Sequence, residues 1–197
     1  MAKTLVAASK LLTEADYKVA AKKLRTGVAE IKTVAEVESD GNGFNADTGL
    51  VVIRFEPHRF SFLTKGAYDK TYPHLSFPVW KPGYPSGETQ SWRLFREAAA
   101  LNPNAAVKAT SWGKFQILGE NFEATGCETL GEFVKRMEAS EGEQLDMFCS
   151  LVLDWGLDDE LREHKWAAFA RVYNGKGFAK NKYDTRMAAF YKKFSSG

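Results

Sequence analysis

Val28-Ala29-Glu30-Ile31-Lys32-Thr33-Val34-Ala35-Glu36-Val37-Glu38 runs directly into Ser39-Asp40-Gly41-Asn42-Gly43. Val28, Ile31, Val34 and Ala35 recur at the spacing of a buried helical stripe, which predicts an amphipathic helix that ends at Glu38. Glu38 falls near the edge of the apolar face, whereas Glu36 points well away from it. A carboxyl at such an edge, followed by a polar and glycine-rich stretch, is both held and reachable. Partial desolvation would raise its pKa and let it donate a proton near neutrality. A solvated glutamate that merely ends a helix has the same pattern, so position alone leaves both readings open.

Working outward, Thr13 and Asp16 have the spacing of a capping box and open a helix over about 14–24, with Gly27 separating it from the next. Leu50-Val51-Val52-Ile53-Arg54-Phe55 is rich in β-branched residues and follows the turn-like Asn45–Gly49, which makes it the best strand in the chain. Arg59–Leu63 is its expected partner, giving a small sheet over roughly 44–63 with the Phe44 region. Pro73, Pro78, Pro82 and Pro85 mark residues 66–90 as a long excursion, a length that suggests a cleft wall. Helices are expected at about 92–101, 105–108, 129–139, 141–155, 159–173 and 183–194. The fold class is therefore α+β, mainly helical with a small antiparallel sheet, and one domain is expected over residues 1–197.

The 197 residues suffice for one substantial core, and a hydrophobic share of 44% beside a charged share of 26% describes a globular chain rather than a disordered one. No run approaches a membrane span, and Thr4–Ala8 is too short for a secretory signal. Stable membrane insertion is therefore not expected. Cys127 and Cys149 lack CxxC spacing and are read as reduced, small hydrophobes, with a disulfide between them left open. His58, His74 and His164 lie far apart, without an HExxH motif, so neither a metal nor another cofactor is called for.

A formal charge of +2 hides an asymmetry. Residues 119–161 carry twelve acidic and two basic side chains, and residues 162–197 carry nine basic and two acidic ones. Their net charges are −10 and +7, which suits mutual attraction or, for the basic segment, contact with an anionic cell envelope. Zinc-finger spacing, an RNP-like strand and a basic zipper are all missing from the sequence, so nucleic acid is not an expected partner.

Three segments are odd as pure structure: Glu38-Ser39, then Ser111-Trp112-Gly113-Lys114-Phe115-Gln116, then Tyr173-Asn174-Gly175. In this order they resemble signatures of the goose-type lysozyme and soluble lytic transglycosylase superfamily. The chain is most similar to the N-acetylmuramidase family found in bacteriophage endolysins, over roughly residues 26–192. The resemblance also takes in Gly43-Phe44, Phe55–Phe60, Phe133-Val134, Glu141, Gln144-Leu145, Trp166 and Phe169-Ala170. Glu56-Pro57-His58 departs from it, standing where many members have Glu-Arg-His.

The resemblance implies a two-lobed lysozyme-like fold with a cleft, acting without cofactors, as a monomer, on peptidoglycan glycan strands. It implies Glu38 as general acid. Glu56 is the first choice for a second carboxylate, with Asp47 and Asp40 weaker ones, and Glu56 could equally pair with Arg54, His58 or Arg59 to organise local structure. Phe44, Trp112 and Phe115 are expected as apolar walls, with Trp112 also stacking on sugar. Ser111, Gln116, Tyr173 and Asn174 are expected to contact substrate. A phage endolysin would wait in the host cytoplasm for a holin to open the membrane. The twelve residues before Thr13 cannot supply a wall-binding domain, so the basic C-terminal region is expected to give surface affinity. A lytic transglycosylase leaving 1,6-anhydromuramic ends and a non-catalytic glycan-binding protein are the competing readings.

Overall fold

The computed structural model describes residues 6–39, 42–175 and 182–196, with Glu38 and Ser39 described by their backbone alone. Helix α1 (Glu14–Leu24) opens on the expected capping box: the Thr13 hydroxyl accepts the Asp16 N–H at 3.3 Å, and the Asp16 carboxylate accepts the Thr13 N–H at 2.8 Å. These bonds satisfy two backbone donors that a helix start leaves unpaired. Helix α2 (Val28–Ser39) follows, and Ile31, Val34, Ala35 and Val37 are buried along it, while Glu36 is only half-buried.

The strand expectation needs correction. Strand β1 is Ile53–Phe55, shorter than the sequence suggested, and Arg59–Leu63 belongs to helix α3 (Pro57–Leu63). Proline at the first helical position has its φ already set and no N–H to leave unpaired. Phe60 and Ser61 turn inward while Phe62 is exposed. Of the expected partnership near Phe44, an antiparallel bridge from Phe44 to Val51 remains.

Turns fill residues 64–87, held by Asp69, whose carboxylate accepts the hydroxyls of Ser61 at 2.9 Å and Ser76 at 2.6 Å. Helices α4 (Glu88–Leu101) and α5 (Pro103–Lys108) come next, then strands β2 (Thr110–Trp112) and β3 (Ile117–Leu118). The antiparallel sheet has the order β1-β2-β3 and pairs Arg54 with Ser111 and Ser111 with Leu118. Helices α6 (Leu130–Ala139) and α7 (Glu141–Asp154) lie close to their expected bounds, each started by a hydroxyl cap, from Thr129 and Ser140. The helix expected over 159–173 is two, α8 (Asp158–Arg162) and α9 (Trp166–Tyr173), parted where His164 adopts a φ of 54°. Helix α10 (Tyr183–Ser195) completes the described chain.

Two hydrophobic clusters hold these elements. The larger joins α1, α2, α6, α7 and α9 through residues such as Leu24, Ile31, Phe133, Phe148 and Phe169. The smaller gathers Phe55, Phe60, Leu75, Leu94 and Ala98, and the half-buried Phe95 packs against both. Each fully buried aliphatic or Phe side chain contributes about 1.5–3 kcal/mol relative to exposure. Helix α2 packs extensively on α10. His164 pins that pair, bonding Glu30 of α2 at 2.8 Å and meeting the ring of Tyr191 on α10 at 4.1 Å between centroids.

Candidate active site

Alternation along β1 sends Ile53 and Phe55 inward and leaves Arg54 facing out. Glu56, two residues on from Arg54, shares its side and enters a cleft of about 460 Å³. That volume is in the range of ligand sites.

The Glu56 side chain is 17% exposed, with Arg54 Nε 3.4 Å from one carboxylate oxygen and His58 Nδ1 3.5 Å from the other. Burial raises its pKa above the ordinary 4.5, and the nearby charges of Arg54 and Arg59 offset only part of that. Burial, then Arg59 and Arg54, push His58 below its ordinary value of 6.5, so His58 is mostly neutral at pH 7 and is no full ion-pair partner. Arg59 pairs with Glu120 instead. Although Glu56 stands at the N-cap of α3, its side chain makes no cap hydrogen bond. The carboxylate is thus more basic than one in water and remains available to a ligand.

Polar groups surround it. Ser111 lies beside Arg54 in the sheet register, and Asn121 follows β3. Gln116 ends the β2–β3 turn at a φ of 47°, uncommon for a residue with a Cβ, and its amide donates to the Gly113 carbonyl at 2.9 Å. At the end of α9, Gly175 takes the left-handed conformation, a glycine-favoured way to close a helix. That closure leaves Tyr173 and Asn174 on the cleft, with the Tyr173 hydroxyl donating to the Phe115 carbonyl at 2.7 Å. Trp80, Trp155 and Tyr183 add aromatic surface, and Leu151 and Ile117 form an apolar floor.

Of the residues singled out from sequence, Glu56, Ser111, Gln116, Tyr173 and Asn174 therefore share one cleft. Phe44, Trp112 and Phe115 do not line it. Trp112 is 1% exposed, set edge-on among Trp92, Phe95 and Phe133, with its indole N–H donated to the Val107 carbonyl. A ring so enclosed has no face for a sugar, which corrects the stacking role expected of it. Phe115 stacks on Phe148 at 4.6 Å inside the core, and Phe44 is buried beneath the Lys10 ammonium. Asp47 is exposed in the turn after Asn45, away from the cleft lining. Glu38 sits in the last turn of α2 with its side chain outside the described part of the structure, and Asp40 lies outside the described residues.

Sequence reasoning missed Arg54, Trp80, Asn121, Trp155 and Tyr183 as cleft residues. Two had a usable signal: Arg54 shares strand parity with Glu56, and Trp80 is the tryptophan of the excursion expected to wall a cleft. Among the described residues, no group of three His, Cys, Asp or Glu side chains could hold a metal ion.

No curated protein matches the chain. The crystal structure of the Burkholderia AP3 phage endolysin is similar to it, at 35% identity and a TM-score of 0.84, over 95% of this chain and 73% of that one. The N-acetylmuramidase family profile matches residues 27–195, from the start of α2 into the end of α10. With the cleft, the lysozyme-like arrangement and this match in agreement, the chain belongs to the N-acetylmuramidase family of glycoside hydrolases.

Proposed function

We propose that this muramidase cleaves the β-1,4 bond from N-acetylmuramic acid to N-acetylglucosamine in peptidoglycan, with Glu38 as general acid and Glu56 as base. Glu38 protonates the glycosidic oxygen as its bond to the muramic C1 breaks. Glu56 takes a proton from the water that attacks that carbon. The observation that carries this reading is a desolvated carboxylate of raised basicity within a cleft lined by amides and aromatics. Gln116 and Asn174 suit acetamido groups, and Trp80 and Trp155 suit the apolar faces of sugar rings.

The packing of α2 on α10 supports Glu38 as the partner acid. Glu30 and Tyr191 meet at His164. Helix α2, which carries Glu38 in its last turn, packs extensively on α10, and α10 begins with Tyr183, which lines the cleft. The segment after α2 also joins β1, because the Val52 N–H donates to the Gly43 carbonyl at 2.9 Å four residues before Glu56.

Digestion of purified peptidoglycan, with products read by mass spectrometry, tests the assignment. Wild type should release fragments with reducing muramic ends, and Glu38→Gln should release almost none while keeping its melting temperature. Anhydro ends from the wild type would overturn the hydrolytic step. Full activity in Glu38→Gln would remove that residue from the chemistry.

We infer that this chain, like the similar phage protein, is an endolysin, and that it reaches the wall from the host cytoplasm once a holin has opened the membrane. Among the described residues, no helix is long and apolar enough to cross a membrane itself. The net charge of +7 over residues 162–197 supplies affinity for the anionic envelope. Lys192 and Lys193 are exposed at the end of α10. Reversing both to glutamate should weaken sedimentation with purified sacculi and flatten its salt dependence. Unchanged binding would sink the idea.

A further inference from the structure

At the start of α7, Glu141 and Gln144 are buried polar residues outside the cleft lining, and their side chains tie together distant parts of the chain. One Glu141 carboxylate oxygen accepts the Gly43 N–H at 2.7 Å and lies 3.3 Å from the Lys114 ammonium. The other accepts the Leu12 N–H at 3.0 Å. The Gln144 amide oxygen accepts the Lys114 N–H at 2.7 Å, and its amide nitrogen donates to the Met137 carbonyl at 2.7 Å.

Both glycines beside this pair leave it room, and Gly113 also holds a φ of 67° that favours glycine. A Cβ on Gly43 would stand 2.5 Å from the Gln144 oxygen and 2.8 Å from Glu141 Cγ, and one on Gly113 would stand 2.6 Å from Gln144 Cδ. Gly43 lies five residues after Glu38, and Gly113 and Lys114 begin the turn that carries Gln116 to the cleft. Val52 links the same points, donating to the Gly43 carbonyl and accepting the Gly113 N–H at 2.8 Å.

We propose that Glu141 and Gln144 are positioning residues, which clamp the segment leaving the catalytic helix and the Gln116 turn to one point on α7. The proposal rests on the assignment of Glu38 and Glu56 above. Glu141 is buried outside the cleft lining and acts through Gly43. Its contribution should therefore appear in kcat rather than KM, since small misplacement of a reacting group can cost ~10²-fold.

Two double variants separate geometry from charge. Glu141→Gln with Lys114→Met keeps an oxygen for the Gly43 N–H, gives up the acceptor of the half-buried Leu12 N–H and removes both charges, so its kcat should stay within about threefold of wild type. Glu141→Leu with Lys114→Met leaves that N–H without its acceptor, and its kcat should fall ~10²-fold at nearly constant KM. Gly43→Ala approaches the clamp from the other side, on unaltered α7, and should lose kcat by at least about tenfold. It carries the test if the leucine variant does not fold.

Wild-type kcat in a folded leucine variant, wild-type kcat in Gly43→Ala, or equal losses in the two double variants would each overturn the clamp. Glu38→Gln is assayed beside them. If it is inactive while the two double variants fall equally, the clamp alone fails; if it is active, the catalytic assignment fails and the clamp with it.

Discussion

Glu56→Gln is expected to lower kcat by about 10²–10⁴, the usual contribution of a positioned acid or base, and at the same time to raise the melting temperature at pH 7. The two effects share one cause. Burial raises the folded-state pKa of Glu56 above its ordinary 4.5, so ionising this carboxyl costs the native state free energy. Below the ordinary value the group is neutral whether the chain is folded or not, and no cost arises. As pH rises through the folded-state value, the cost comes fully into force. Glutamine never bears it.

Melting curves of both proteins at pH 4 and pH 7 should therefore diverge more at pH 7, by about 2–4 °C for each kcal/mol relieved. The same ionisation sets an acidic limb in wild-type kcat/KM, where activity falls as Glu56 takes up its proton. Wild-type turnover in Glu56→Gln would assign that carboxyl to local structure, beside Arg54 and His58.

Glu141→Ala should be among the most destabilising single substitutions in this chain. The Lys114 side chain is 6% exposed and would lose the carboxylate facing it, and the buried Gly43 N–H would lose its acceptor. Breaking a buried ion pair from one side costs about 3–5 kcal/mol, which corresponds to a fall of roughly 6–20 °C in melting temperature for a domain of this size. Replacing Lys114 by methionine as well should recover part of the loss, because no ammonium is then left in the interior. Thermal melts of the two single variants and the double variant measure the coupling directly. A fall of under about 2 °C in Glu141→Ala would overturn this ranking.

The elements that sequence made legible are those defined by neighbours along the chain. Thr13 with Asp16 announces α1, and Ile31, Val34 and Ala35 announce α2. Fold class and family were legible for the same reason, since ordered motifs survive being read in one dimension. The sheet was not. Ile53–Phe55 pairs with Thr110–Trp112, well beyond any local window, and Phe60 and Phe62 imitate the alternation of a strand inside a helix begun by Pro57.

Residue type also misled at Trp112, since a tryptophan beside a glycine-containing turn suits a sugar platform and a packed core equally well. Only its enclosure by Trp92, Phe95 and Phe133 decides between them. Three cleft aromatics not expected from sequence, Trp80, Trp155 and Tyr183, come from an excursion, the end of α7 and the start of α10. No spacing rule connects three such positions; only the folded chain brings them to one surface.

Both thiols of the chain are buried and neither is in a disulfide, and burial pushes Cys149 up to about 12. Cys149 therefore carries almost no thiolate at neutral pH, and the thiolate is the form that reacts with oxidants and disulfides. Packing and hydrogen bonds, rather than a covalent link, close this fold. The described fold therefore needs no disulfide to be complete, and a molecule folded under reducing conditions has no cross-link to form afterwards.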